Sequence, residues 1–143
     1  MGRKKVIVQN EPWESNKPSN AKFTKICDDM QNSEAWHMLT LRQQGLYLFL
    51  KKKYIKKSDG TDNSTDIHIT DKDKKIIKVV NNTLNKDIDA LIDYGFIKLI
   101  KHGKVVHKPN IYGFSDMWRK YGTDNFFIHP NDKRDTKKNS YKG

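Results

Sequence analysis

The chain has 143 residues, and its 28 Lys and Arg outnumber 17 Asp and Glu to give a net charge of +11. That length suits one domain. Only 35% of the residues are apolar, and the longest purely apolar run, Leu46–Leu50, falls far short of the roughly 20 residues of a membrane span. The N-terminus lacks the apolar core of a secretory signal. The single cysteine, Cys27, excludes an internal disulfide or a cysteine-rich zinc site. A cytoplasmic setting with no membrane association is the expectation. The positive surplus attracts polyanions, DNA and RNA among them.

Composition divides the chain into a flexible basic arm over 1–22, with Arg3, Lys4 and Lys5 near its tip, a domain over 23–122, and a basic tail over 123–143. From 130 onward, with Lys133, Arg134, Lys137 and Lys138, the tail reads as disordered. In the domain, Phe23 to Cys27 alternates like a short strand, and Ser33 to His37 suits one helical turn. Thr40 and Gln43 make a capping-box pattern that opens the first long helix. Its apolar face is Leu46, Tyr47, Leu50 and Tyr54, and Leu48 and Phe49 widen the stripe, which predicts burial on more than one side.

A loop over 58–66 follows, rich in Gly, Asp, Asn and Ser. Ile67 and Ile69 flank His68 in a second strand-like run. Thr70 caps the next helix, with Asp73 in its first turn and Ile76, Ile77 and Val80 as its expected inner face. Asn81 and Asn82 offer a cap for a third helix over about 83–94, whose stripe is Leu84, Ile88, Leu91 and Ile92. Gly95 just past its end suits a left-handed cap, with Phe96 placed to touch Leu91. The stretch from Phe96 to Phe114 reads as a hairpin turning at His102–Gly103, with Ile97, Leu99, Val105 and Ile111 among its apolar residues and Pro109 at an edge or bulge. Phe114, Met117, Trp118 and Tyr121 recur at the spacing of a short closing helix.

This order of helices followed by a two-stranded hairpin predicts an α+β fold of the winged helix-turn-helix type: a three-helix core, a hairpin wing and a short N-terminal strand. Three segments carry a family resemblance as well. FTKICDDMQNSEAWHMLTLRQQGLYLFLKKKYI (23–55), DALIDYGFIKLI (89–100) and NIYGFSDMWRKYG (110–122) resemble winged-helix DNA-binding proteins of Gram-positive plasmids, phages and conjugative elements. The resemblance spans roughly 23–122. It implies work at a replication or transfer origin, as an initiator or organiser or as a relaxosome accessory, with a relaxase or replication protein as a partner.

The third helix holds one base, Lys86, against Asp87, Asp89 and Asp93, and Asp89 and Asp93 are expected to face outward, where they would repel phosphates. Only its first turn, with Asn82, Thr83, Asn85 and Lys86, suits base contact. The hairpin is the opposite. Lys98, Lys101, Lys104 and Lys108 come with no acid between Ile97 and Pro109, and His102 and His107 add donors. The expected binding residues are therefore Lys98, Lys101, His102, Lys104 and Lys108 on the wing, plus Thr83, Asn85 and Lys86. The alternative is that the lysines only solvate an edge strand.

Catalysis is not expected, because the chain has no phosphate loop and no nucleophile elbow. No cofactor is implied. The five histidines show no paired spacing for zinc, and Asp59, Asp62 and Asp66 lack the closing Glu of a calcium loop. Trp36, Tyr112, Phe114, Trp118 and Tyr121 could stack bases, but their spacing fits packing better. The leading expectation is non-enzymatic binding of double-stranded DNA at an origin, with a homodimer compatible with repeated sites. A transcriptional regulator of the same fold, or an adaptor docking a basic partner on Asp89 and Asp93, are the alternatives.

Overall fold

The computed structural model describes residues 9–104 and 107–134. Among them are five α-helices and one antiparallel two-stranded hairpin, an α+β arrangement. The helices are α1 (Asp28–Gln31), α2 (Glu34–His37), α3 (Leu41–Lys52), α4 (Asp71–Ile77) and α5 (Asn81–Asp93), and the strands are β1 (Ile97–Lys101) and β2 (Ile111–Phe114). Short 3-10 turns lie at Met117–Lys120 and Pro130–Asp132.

Local chemistry explains where most helices begin. The Gln43 N–H donates to Thr40 Oγ1 (3.2 Å) and the Thr40 N–H to Gln43 Oε1 (2.9 Å), closing the capping box of α3. Ser33 caps α2 through the Trp36 N–H. Leu46, Tyr47 and Leu50 turn α3 inward against α5; of the two residues that widen the stripe, Leu48 is exposed and Phe49 is half-buried. Phe23 to Cys27 forms no strand. Phe23 is exposed, and the Ile26 carbonyl accepts from the Gln31 side chain (2.9 Å) rather than from a neighbouring strand.

Thr70 and Asp73 cap α4 reciprocally, and Lys53 Nζ donates to Asp73 Oδ2 at 2.6 Å. Burial acts to raise the Asp73 carboxyl, but the bonds from Lys53 and Thr70 outweigh it and hold the group below the usual carboxylate range. A lowered folded-state pKa stabilises the fold above the unfolded value of about 3.9, and that contribution is lost as pH falls through the folded value. Asp73→Asn is therefore expected to cost about 1 kcal/mol at pH 7, a typical capping loss. Denaturant titration of both proteins should show the gap closing toward pH 2; a gap that persists there would remove the ionised carboxylate from this account.

Between α4 and α5 lie three residues. Lys78 adopts a left-handed conformation (φ 59°), which redirects the chain. Adjacent helical residues point about 100° apart, and α4 turns only one of Ile76 and Ile77 toward the core. Ile77 and Val79 pack on the core, whereas Ile76 and Val80 are exposed, contrary to the inner face expected from sequence. α5 starts at Asn81 rather than Thr83, with Val80 as its N-cap, so the two asparagines occupy the first turn instead of capping it.

α5 ends as its sequence predicts. Phe96 N–H bonds Leu91 O (2.9 Å) and Gly95 N–H bonds Ile92 O (3.0 Å), with Gly95 at φ 85°. This is a Schellman cap, and its apolar pair, Leu91 and Phe96, is fully buried. β1 then pairs with β2, with an irregularity between Leu99 and Lys101. The run expected at Ile67–Ile69 contributes a single bridge, Ile67 to Tyr112, which sets β2 between β1 and the chain at 64–67. The connection is not a tight turn at His102–Gly103. It runs from His102 to Asn110, since Asn110 Oδ1 accepts the Gly103 N–H (2.9 Å) and Gly103 O accepts the Lys108 N–H (3.0 Å). Val105 lies outside the described residues.

The aromatic side chains pack with one another. Trp118 stacks on Phe96 (6.1 Å, 4°), and Trp36 and Tyr47 meet Phe96 edge-on. Burial pushes the Tyr47 phenol up to about 12. The expected closing helix is only the 3-10 turn Met117–Lys120, because Phe114 still belongs to β2. The chain keeps packing beyond 122. Ile128 touches the core, and Pro130–Asp132 lies beside β1, where composition predicts a disordered tail. At the other end, residues 9–22 fold back on themselves through the Asn10 N–H to Pro18 O bond (2.6 Å), with Trp13 exposed. Arg3, Lys4, Lys5, Lys137 and Lys138 lie outside the described residues.

Candidate nucleic-acid interface

The hairpin loop presents its cations as the sequence suggests. Lys101, His102, Lys104, His107 and Lys108 are exposed, whereas Lys98, within β1, is half-buried. His102 is not a free ring. Its Nδ1 accepts the Lys104 N–H (3.1 Å), so the outward nitrogen, Nε2, is the donor when the ring is neutral.

Of the three carboxylates of α5, the two expected to face outward, Asp89 and Asp93, do so, but each has a cation beside it. Asp87 is buried (1% exposed) and turned into the protein, where Arg42 holds it with two bonds (2.6 and 2.9 Å) and Gln43 Nε2 sits at 3.4 Å. The Asp87 carboxylate, first through these bonds and then through its charge, raises the Arg42 pKa further. Asp89 receives two bonds from Arg134 (3.1 and 3.2 Å), and Lys133 lies 3.9 Å from Asp93. The start of the tail thus returns cations to the outer side of α5. Partial burial keeps the Asp93 carboxyl above its ordinary range, with Lys133 acting against that rise and Asp89 adding to it.

A cleft of about 500 Å³ opens between the start of α4, the side of α5 and the hairpin loop. Thr70, Asp71, Lys74, Asn85, His107, Lys108 and Asn110 supply its polar lining, and Lys74 lies 3.9 Å from the one carboxylate among them, Asp71. Asn85 and Lys108, both expected from sequence, therefore share one concavity. Thr83 does not join them: two residues along a helix is a turn of about 200°, so Thr83 and Asn85 point to opposite sides. Lys86 is exposed between them.

Sequence reading missed the cations of α4. Lys72, Lys75 and Lys78 are exposed on the helix or at its cap. It also missed how the charges sort. The five ion pairs of the described residues fall on the five aspartates of α4 and α5: Asp71, Asp73, Asp87, Asp89 and Asp93. Among the described residues, none of Lys72, Lys75, Lys78 and Lys86 on the helical side, nor Lys98, Lys101, Lys104 and Lys108 on the hairpin, has a carboxylate within 4.0 Å. In the 58–66 loop, Asp59 Oδ1 accepts from Thr61 and Asp62 Oδ1 from Ser64, so both carboxylates serve local turns.

Comparison with protein-family models, curated proteins and solved structures finds no match. No helix of the described residues is long and apolar enough to cross a membrane.

Proposed function

We propose that the protein binds double-stranded DNA as a winged helix-turn-helix, with α4 and α5 as the helical pair and the β1–β2 hairpin as the wing. One observation carries this reading. Every aspartate of α4 and α5 has a cationic partner, while eight lysines on the same helices, their connection and the hairpin have no carboxylate partner among the described residues. The surplus positive charge is thereby concentrated where a groove-binding element and its wing would meet phosphates. The biological setting, by the resemblance of 23–122, is a plasmid or mobile-element origin in the cytoplasm, and the activity is non-enzymatic.

Four to six lysine–phosphate contacts predict a salt slope of about −4 to −5 on log–log axes. Exchanging Lys101 and Lys104 for Glu should weaken duplex binding at least about tenfold and flatten that slope by about 2. Fluorescence anisotropy with a labelled duplex across a salt series measures both. An unchanged slope would take the wing out of the interface, and no binding at low salt would sink the proposal. Footprinting on the native replicon separates an origin from a promoter. The adaptor reading stays the alternative, with Arg134 and Lys133 beside Asp89 and Asp93, and pull-down of a protein partner without nucleic acid would favour it.

A further inference from the structure

The connection between α4 and α5 exposes apolar side chains that the core does not use. Val80 is 70% exposed and Ile76 is 58% exposed. Lys72, Lys75, Lys78 and Lys86, all exposed, flank them along the chain. Asn81 and Asn82, also exposed, follow Val80 directly as the first two residues of α5. Two exposed apolar side chains, close in the chain to lysines without a carboxylate partner among the described residues, suit a partner that carries anions around a small apolar feature. The major groove of duplex DNA has that character at A·T pairs, where phosphates flank the thymine 5-methyl group. Asparagine is the side chain whose carboxamide matches adenine N6 and N7 with one donor and one acceptor.

We infer that Val80 and Asn82 are specificity-determining residues that read an A·T step, with Val80 packed on a thymine methyl and Asn82 paired to an adjacent adenine. This rests on the duplex-binding reading above. Lys72, Lys75, Lys78 and Lys86 contribute affinity without sequence information, because phosphate contacts position a protein but do not specify bases.

The test uses the full chain and a duplex selected by it from a random-sequence library. Each thymine of the selected site is then replaced in turn by deoxyuridine, which keeps base pairing and removes only the 5-methyl group. Wild-type protein should lose about threefold to fivefold in affinity at one or two positions, the effect of one buried methyl. Val80→Ala should bind the thymine probe that much more weakly and no longer distinguish it from the deoxyuridine probe. Asn82→Ala should lose about tenfold at the neighbouring adenine and tolerate other bases there. Both side chains are exposed, so these variants should fold, and unchanged thermal melting verifies it. A wild-type protein that binds the duplex but ignores every deoxyuridine overturns this inference and leaves duplex binding intact. Selection that enriches no A·T position does the same. Failure to bind any duplex at low salt overturns both.

Discussion

Arg42→Ala is expected to lower the melting temperature by about 10 °C, since removing this half-exposed guanidinium leaves a buried carboxylate without its cation. The charge left behind is Asp87, whose side chain is 2% exposed and would keep only Gln43 at 3.4 Å. The pair joins α3 to α5, so the loss should also loosen α5 and weaken duplex binding. Hydrophobic replacement of both partners is the informative control. Asp87 sits on α5 among Leu84, Ile88 and Leu91, so Arg42→Met with Asp87→Leu should recover most of the stability. Thermal melting of the two singles and the double measures the coupling. A single Arg42→Ala that melts like wild type would show that water already compensates Asp87.

Gly95→Ala is expected to destabilise by about 3 kcal/mol, combining left-handed strain with overpacking. Gly95 has φ 85°, and a methyl group there would lie 2.5 Å from the Trp118 nitrogen and 2.7 Å from the Met117 carbonyl carbon. Both are backbone atoms, held by the Trp118 N–H to Gly95 O bond (3.0 Å). Gly122 separates the two causes. It has the same φ of 85°, but its close neighbour is the exposed Glu34 carboxylate, which can swing away. Gly122→Ala should therefore cost only the strain, about 1 kcal/mol. Urea titration of both variants gives the difference; equal losses would mean that the contact with Met117 and Trp118 relaxes freely.

These two sites also differ in how far they are legible in the sequence. The cap at Gly95 is local: Leu91, Gly95 and Phe96 lie within six residues, and their spacing alone predicts the motif. The boxes at Thr40–Gln43 and Thr70–Asp73 are legible for the same reason. Arg42 and Asp87 are 45 residues apart, and no local rule pairs them. A signal for Asp87 does exist, because three residues after Leu84 and four before Leu91 it falls on the apolar stripe of α5. Counting it in the charge balance of α5 treats helix composition as if it were helix surface. The hairpin lysines were readable since a run of cations with no acid leaves no internal partner nearby. The exposure of Ile76 and Val80 was not, because it depends on the left-handed turn at Lys78, a residue whose type does not announce that conformation.

What the amino-acid order determines here is short-range: the α+β succession of elements, the helix starts at Thr40 and Thr70, the glycine cap and the cationic hairpin. Each follows from hydrogen bonds or side-chain periodicity within a few residues. Tertiary structure decides which charges remain available. Arg42 takes Asp87 out of the helix surface, and Arg134 and Lys133 return from the end of the described chain to meet Asp89 and Asp93. Coulombic partners are chosen by distance in space, which only the folded chain sets.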